Sequence, residues 1–172
     1  MVIWITGFSG AGKTTLARAV DRHLREKRQA SPILLDGDEM RRILRTEWEL
    51  SYEGRRKLAE IYARLARSLS EQGFIVLVAT ISMFEAVRQW NRQNNAQYLE
   101  VYLRISEEER RHRDPKGLYK QRQSMVDLSY EEPLHPDLCF DNRVPLAEQV
   151  EHIAQHCSCG DAGNAPSHLS EK

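Results

Sequence analysis

One string of eight residues limits what this chain can fold into more than any other. Gly7-Phe8-Ser9-Gly10-Ala11-Gly12-Lys13-Thr14 fits G-x-x-x-x-G-K-[ST]. It lies directly between an apolar run at residues 2–6 and a stretch in which Leu16, Val20 and Leu24 recur at helical spacing. A glycine-rich turn entered from a buried strand and left through a helix is the start of a βαβ unit, and such units build parallel sheets.

The rest of the chain continues the alternation. Short apolar runs at 33–35, 74–79 and 98–103 read as further buried strands. Between them Leu58, Ile61, Tyr62, Leu65 and Leu69 keep a helical period, and a third helix is expected at 84–95. Ser106 followed by Glu107, Glu108 and Glu109 reads as an N-cap with a dipole-matched first turn, and Trp4 on the first strand reads as core. The fold class expected is therefore α/β, a parallel sheet of the P-loop NTPase type flanked by helices in three α/β/α layers. Residues 1–156 read as one domain. Residues 157–172, rich in Gly, Ser, Ala and Asn with Leu169 as the one large apolar side chain, read as a disordered tail.

Charge narrows the partners. Lys plus Arg and Asp plus Glu number 25 each in the 172 residues, so no overall field draws the chain to nucleic acid or to an anionic membrane. An anionic ligand must be held locally. No apolar run approaches the roughly 20 residues that cross a bilayer, and no basic segment precedes an apolar one at the N-terminus, so a cytoplasmic location is expected. Three cysteines, an odd number, point to reduced thiols, and Cys139 reads as filler near a strand end.

In the glycine-rich string, successive backbone N–H groups can turn inward and the helix adds its positive end, which cradles phosphate oxygens. Gly7, Ser9, Gly10, Ala11, Gly12, Lys13, Thr14 and Thr15 are the expected nucleotide-binding set, with Lys13 reaching the β- and γ-phosphates as a catalytic group. Thr14 offers a hydroxyl to Mg2+, and ATP is the expected phosphoryl donor. GTPases, motor ATPases and small-molecule kinases all carry such a loop. A GTPase is disfavoured, because N-K-x-D is absent and the D-x-x-G string at Asp114 to Gly117 comes too late in the chain.

The second strand runs into Asp36-Gly37-Asp38-Glu39-Met40-Arg41, placing two carboxylates where α/β proteins gather ligands. One can hold Mg2+ or its water, and the other can take the proton of an attacking hydroxyl. Asp36 and Asp38 are both candidate catalytic residues, with Asp36 as the metal candidate, and the sequence leaves the division between them open. The plainer reading of Asp38 is the N-cap of the helix that carries Arg41.

Together these strings resemble the adenylylsulfate kinase family, over roughly residues 1–142. The resemblance rests on Ile3-Trp4-Ile5-Thr6-Gly7, on Leu35-Asp36-Gly37-Asp38 with Arg41, on Ile81-Ser82, and above all on Arg113-Asp114-Pro115-Lys116-Gly117-Leu118-Tyr119-Lys120. It implies transfer of the γ-phosphate of MgATP to the 3'-hydroxyl of adenosine 5'-phosphosulfate. It also implies ligand contacts from Asp38, Arg41, Arg55, Ile81, Ser82, Lys116 and Lys120. Arg41 and Arg55 suit bidentate clamping of an acidic acceptor, although Arg55 can equally be one of a solvated run with Arg56 and Lys57. Ser82 is expected to position ligand, and Arg88 matches a family arginine but reads as surface. The sequence leaves the oligomeric state open, with a homodimer as one option.

The chain departs from the family where the acceptor base is held. Leu50 stands where the family has a stacking Phe, Leu58 where it has an Asn, and residues 123–133 are shorter than the family segment and lack its second stacking Phe. A lost aromatic stack costs about 1 to 3 kcal/mol per base, unless Trp48, Tyr52 or Tyr130 replaces it. An alternative acceptor such as cytidine diphosphoramidate therefore stands beside the first, and a non-catalytic nucleotide-binding regulator is the alternative from another class. His152, His156, Cys157 and Cys159 bunch near the C-terminus without a paired C-x-x-C, so zinc is disfavoured there.

Overall fold

A computed structural model of the chain describes residues 1–46, 51–82, 84–106, 108–109, 130–141 and 143–157. The sequence folds into β1 (Val2–Gly7), α1 (Lys13–Arg28), β2 (Ile33–Asp36), α2 (Gly37–Ile43), α3 (Tyr52–Glu71), β3 (Val76–Ala79), α4 (Glu85–Asn94), β4 (Tyr98–Arg104), β5 (Leu138–Asp141) and α5 (Leu146–His156). The strands form one sheet in the order β2-β3-β1-β4-β5, and every pairing is parallel. The expected three-layer class is the observed one.

Why β1 is central follows from its side chains. Val2, Ile3, Trp4 and Ile5 are all fully buried, so both faces of the strand are covered. Ile3 and Ile5 face the layer of α1 and α5, packing with Leu16, Val20, Leu24 and Ile153. Val2 and Trp4 face the opposite layer, packing with Leu58, Tyr62 and Ala66 of α3 and Val87 of α4. Each such side chain contributes about 1.5 to 3 kcal/mol of burial, and this two-sided core fixes the sheet within which the loops are held.

The helices begin and end for local reasons. The Ser51 hydroxyl accepts from the Gly54 N–H at 3.1 Å and starts α3. α1 ends at Gln29, whose backbone is left-handed, after a last turn carrying Arg25, Lys27 and Arg28. The Ser106 cap holds: its hydroxyl accepts from the Glu109 N–H while the Glu109 carboxylate accepts from the Ser106 N–H.

Several expectations need correction. The third strand starts at Val76, because Phe74 lies outside the sheet and is exposed. β5 has no counterpart in the sequence pattern, since four residues of which only Phe140 is buried give too short a period to read. Cys139 lies inside that strand and faces outward. Trp4 is core as expected. No helix among the described residues is long and apolar enough to cross a membrane.

Candidate functional site

Parallel strands deliver their following loops to one edge of the sheet, and here β1, β2 and β3 end together. Ala79 pairs with both Ile5 and Asp36. The glycine-rich loop, the Asp36–Asp38 corner and the Ile81–Ser82 turn are thereby neighbours by construction.

The glycine-rich loop has the backbone its composition promises. Gly7, Gly10 and Gly12 have φ of 150°, 78° and 94°, values that side chains disfavour. A Cβ on Gly7 would stand 2.6 Å from the Leu103 carbonyl, so close packing against β4 also demands glycine there. Ser9, Gly10 and Ala11 form the turn, and Gly12 caps α1 with no side-chain hydrogen bond. The first N–H groups of α1, carried by Lys13, Thr14 and Thr15, thus start the helix without a side-chain cap, as phosphate binding requires. Lys13 Nζ donates to the Phe8 carbonyl at 2.7 Å, which folds the ammonium back over the loop.

Asp36 links this loop to the second strand. Its Oδ2 accepts from the Thr14 hydroxyl at 2.6 Å, while Oδ1 accepts from the Asp38 and Glu39 N–H groups at 3.0 and 3.3 Å. Asp36, not Asp38, is the N-cap of α2. The plain reading of Asp38 as a cap is therefore replaced: Asp38 stands in the first turn of α2 and is exposed. Two hard oxygen donors, Thr14 Oγ1 and Asp36 Oδ2, meet beside the phosphate loop, which is the donor chemistry Mg2+ takes.

Arg41 of α2 and Arg55 of α3 come into each other's field. Burial, and then the charge of Arg41, push the Arg55 guanidinium below its ordinary pKa. The Tyr62 phenol donates to the Gly37 carbonyl at 3.5 Å. It is pushed above its ordinary pKa by burial, against the pull of Arg41 and with smaller contributions from Asp38 and Asp36. Tyr62 is thus a common neighbour of the carboxylate corner and of Arg41. Two guanidiniums in each other's field, one of them sharing Tyr62 with two carboxylates, make a wall suited to a multiply charged anion carrying a hydroxyl.

Ile81 and Ser82 follow β3 at the sheet edge where Asp36 ends β2. Ser82 is buried with φ of 39°, and its hydroxyl has no hydrogen-bond partner among the described residues. A non-glycine residue held left-handed costs on the order of 1 to 3 kcal/mol, and such strain gathers at functional sites. The Thr6 hydroxyl donates to the Ile81 carbonyl and stands 3.4 Å from the Tyr130 hydroxyl. Tyr130 lies on Phe8 with ring centroids 4.2 Å apart, and Tyr52 meets Phe84 edge-on at 5.1 Å. Both tyrosines are therefore near the site, in ring contacts of their own.

Arg88 overturns its expected surface position, since it is fully buried. Sequence reading misses it because an arginine in an amphipathic helix reads as solvated. The available signal is Glu100, a carboxylate inside an otherwise apolar strand, which calls for a buried cation. Lys116, Lys120, Trp48, Leu50, residues 123–129 and Cys159 lie outside the described residues. Of the C-terminal cluster, His156 Nδ1 pairs with the His152 carbonyl at 2.9 Å and Cys157 Sγ with the Ile153 carbonyl. No metal-binding group of His, Cys, Asp and Glu occurs among the described residues.

Fold and loop together define a phosphate-loop phosphotransferase. The family model for adenylylsulphate kinase matches residues 1–141, and the chain belongs to that family, whose members phosphorylate a hydroxyl group. It is 38% identical over 161 residues to a probable adenylyl-sulfate kinase of Halalkalibacterium halodurans, covering 88% of this chain and 77% of that one. It is 37% identical over 161 residues to the cytidine diphosphoramidate kinase of Campylobacter jejuni, covering 88% and 93%. Among solved structures, the Mycobacterium tuberculosis APS kinase CysC in complex with AMPPNP and APS superposes with a TM-score of 0.81 at 31% identity, covering 91% of this chain and 96% of that one.

Proposed function

We propose that this chain transfers the γ-phosphoryl group of MgATP to the 3'-hydroxyl of an activated nucleotide, with adenosine 5'-phosphosulfate as the first acceptor. The observation that carries this reading is the Thr14–Asp36 hydrogen bond, which sets the carboxylate corner beside the glycine-rich loop, with Arg41 in the field of Tyr62 and Arg55 in the field of Arg41. The N–H groups of Gly10 to Thr15 and the Lys13 ammonium hold the donor phosphates and stabilise charge on the transferring group. Asp38 accepts the proton of the acceptor hydroxyl as its oxygen attacks the γ-phosphorus in line, and the bond to the bridging oxygen breaks to release ADP. Arg41 and Arg55 clamp the acceptor's anionic end, which fixes the hydroxyl for attack. Thr14 and Asp36 would hold Mg2+, which supplies neutralisation of phosphate charge when bound.

A second acceptor class is favoured by Leu58. At the position of the family's substrate-contacting Asn, this leucine is buried in the core against Val2 and Trp4 and contributes no polar contact. A pocket so altered suits a base other than adenine, as in cytidine diphosphoramidate, the compound named for the Campylobacter relative.

The test is ATP-dependent phosphorylation of adenosine 5'-phosphosulfate, cytidine diphosphoramidate and other nucleoside diphosphate derivatives at matched concentration. Fastest turnover of the phosphosulfate supports the first reading. Turnover of a cytidine compound alone moves the enzyme to the second. Transfer to none of them, with ATP still bound, rejects both and leaves a nucleotide-binding regulator.

A further inference from the structure

Arg88 makes contacts that the roles given above leave unused. Its guanidinium points in three directions. Nη1 donates to the Ser82 carbonyl at 2.7 Å, Nη2 donates to the Glu131 carbonyl at 2.7 Å, and Nε and Nη2 donate to Glu85 Oε2 at 3.0 and 2.6 Å. Glu85 is its close ion-pair partner, and Glu100, buried on β4, adds a second carboxylate 3.6 Å from Nε that it shares with Arg92. The far segment is held from a second side, because the Glu131 carboxylate accepts from the Glu85 N–H at 2.6 Å and so caps α4 from 46 residues away. One residue earlier, Tyr130 rests on Phe8 of the glycine-rich loop.

These contacts join pieces that chain order separates. The strained Ser82 turn, the start of α4 and the segment at 130–131 share one buried cation, and a planar guanidinium reaches all of them from three separate nitrogens, where the three donors of an ammonium radiate from a single atom. The Ser82 carbonyl, at a residue of positive φ, is held by Arg88. We propose that Arg88 is a positioning residue for the acceptor: it holds Ser82 in its left-handed conformation and ties that turn to residues 130–131, so that the acceptor wall keeps one shape. The inference rests on the reading of Ser82 as part of the acceptor site.

The test compares wild type with Arg88→Lys, which keeps the charge but gathers its donors on one atom in place of the spread, planar fork, using the acceptor that wild type phosphorylates fastest. Assays are run well below the melting temperature of each variant. Arg88→Lys is expected to raise the acceptor KM at least about tenfold and to leave the ATP KM within about twofold. Ser82→Gly removes the Cβ that makes a left-handed backbone costly, so in that background the loss from Arg88→Lys is expected to shrink below about threefold. Glu131→Ala, which removes the cap from a half-exposed side chain, serves if the lysine variant does not fold; it is expected to raise the acceptor KM about threefold with the ATP KM unmoved. An acceptor KM unchanged in these variants, or an equal loss from Arg88→Lys with and without Ser82→Gly, means that Arg88 only stabilises the fold and overturns the inference. A wild-type protein that phosphorylates no acceptor overturns the proposed function instead, and the positioning role falls with it.

Discussion

The proposed donor side of this site is shaped by backbone, and the proposed acceptor side by side chains. Around the glycine-rich loop, three glycines with positive φ, the uncapped start of α1 and the Leu103 carbonyl behind Gly7 set the form. Around the acceptor wall, Asp36, Arg41, Arg55, Ser82, Arg88 and Glu131 come from β2, α2, α3, α4 and the segments around them. Backbone recognition accepts any polyphosphate of the right size, whereas a wall assembled from distant side chains can be retuned one residue at a time. That contrast accounts for a chain whose donor loop fits its family string while its acceptor pocket departs from it.

Breaking the donor side should do the most damage. Lys13→Ala is expected to lower kcat about a thousandfold, because it removes a cation from the transferring phosphoryl group; steady-state turnover of ATP with the best acceptor measures it. Asp38→Ala should follow, with turnover down at least about a hundredfold while ATP binding, read by titration calorimetry, stays near that of wild type. Normal turnover would remove Asp38 from proton transfer. Arg55→Gln should act on the acceptor alone, raising its KM about tenfold or more through one lost charge-assisted contact and leaving the ATP KM in place. A change in both constants would show that the two sides are less separable than their construction suggests.

Two smaller effects sharpen the comparison through stability. Gly7→Ala forces a Cβ toward the Leu103 carbonyl and should lower stability by about 2 to 3 kcal/mol, seen as a fall in melting temperature of about 5 to 10 °C. The smallest effect belongs to Tyr130. Burial pushes its phenol up to about 12 from an ordinary value of 10.0. Between those two values the unfolded chain releases this proton while the folded chain keeps it, so stability falls as pH rises through that window and is unaffected below it. Tyr130→Phe should leave the neutral-pH melting temperature within about 2 °C and flatten part of the alkaline decline, as thermal melts at stepped pH will show.

The same contrast governs what can be read from the sequence. β1, the glycine-rich loop and α1 are legible because their determinants are local: an apolar run, glycines at fixed spacing and a helical period. The Asp36–Asp38 corner is legible as a pair, yet either aspartate has the chemistry of a cap, and only the structure assigns that role to Asp36, whose Oδ1 takes the Asp38 and Glu39 N–H groups while Oδ2 turns to Thr14. β5 escapes because Leu138 to Asp141 is too short to show a period. Arg88 escapes because its burial is decided by Glu100 on β4 and by the carbonyls of Ser82 and Glu131 on other segments. Local rules find the donor side; on the acceptor side the family resemblance points to Arg41, Arg55 and Ser82, and tertiary contacts are needed to find Arg88.

The bond from Lys13 to the Phe8 carbonyl carries one more consequence. The loop in this state already has an internal guest, an ammonium that sits where it can leave only by giving up a hydrogen bond. Nucleotide entry is therefore an exchange: the lysine trades a neutral carbonyl for phosphate oxygens, and the heat released reports the difference between the two bonds, not the whole of the new one. A site of this kind is held ready by self-competition, and its affinity for donor can be raised by weakening the guest as well as by strengthening the host.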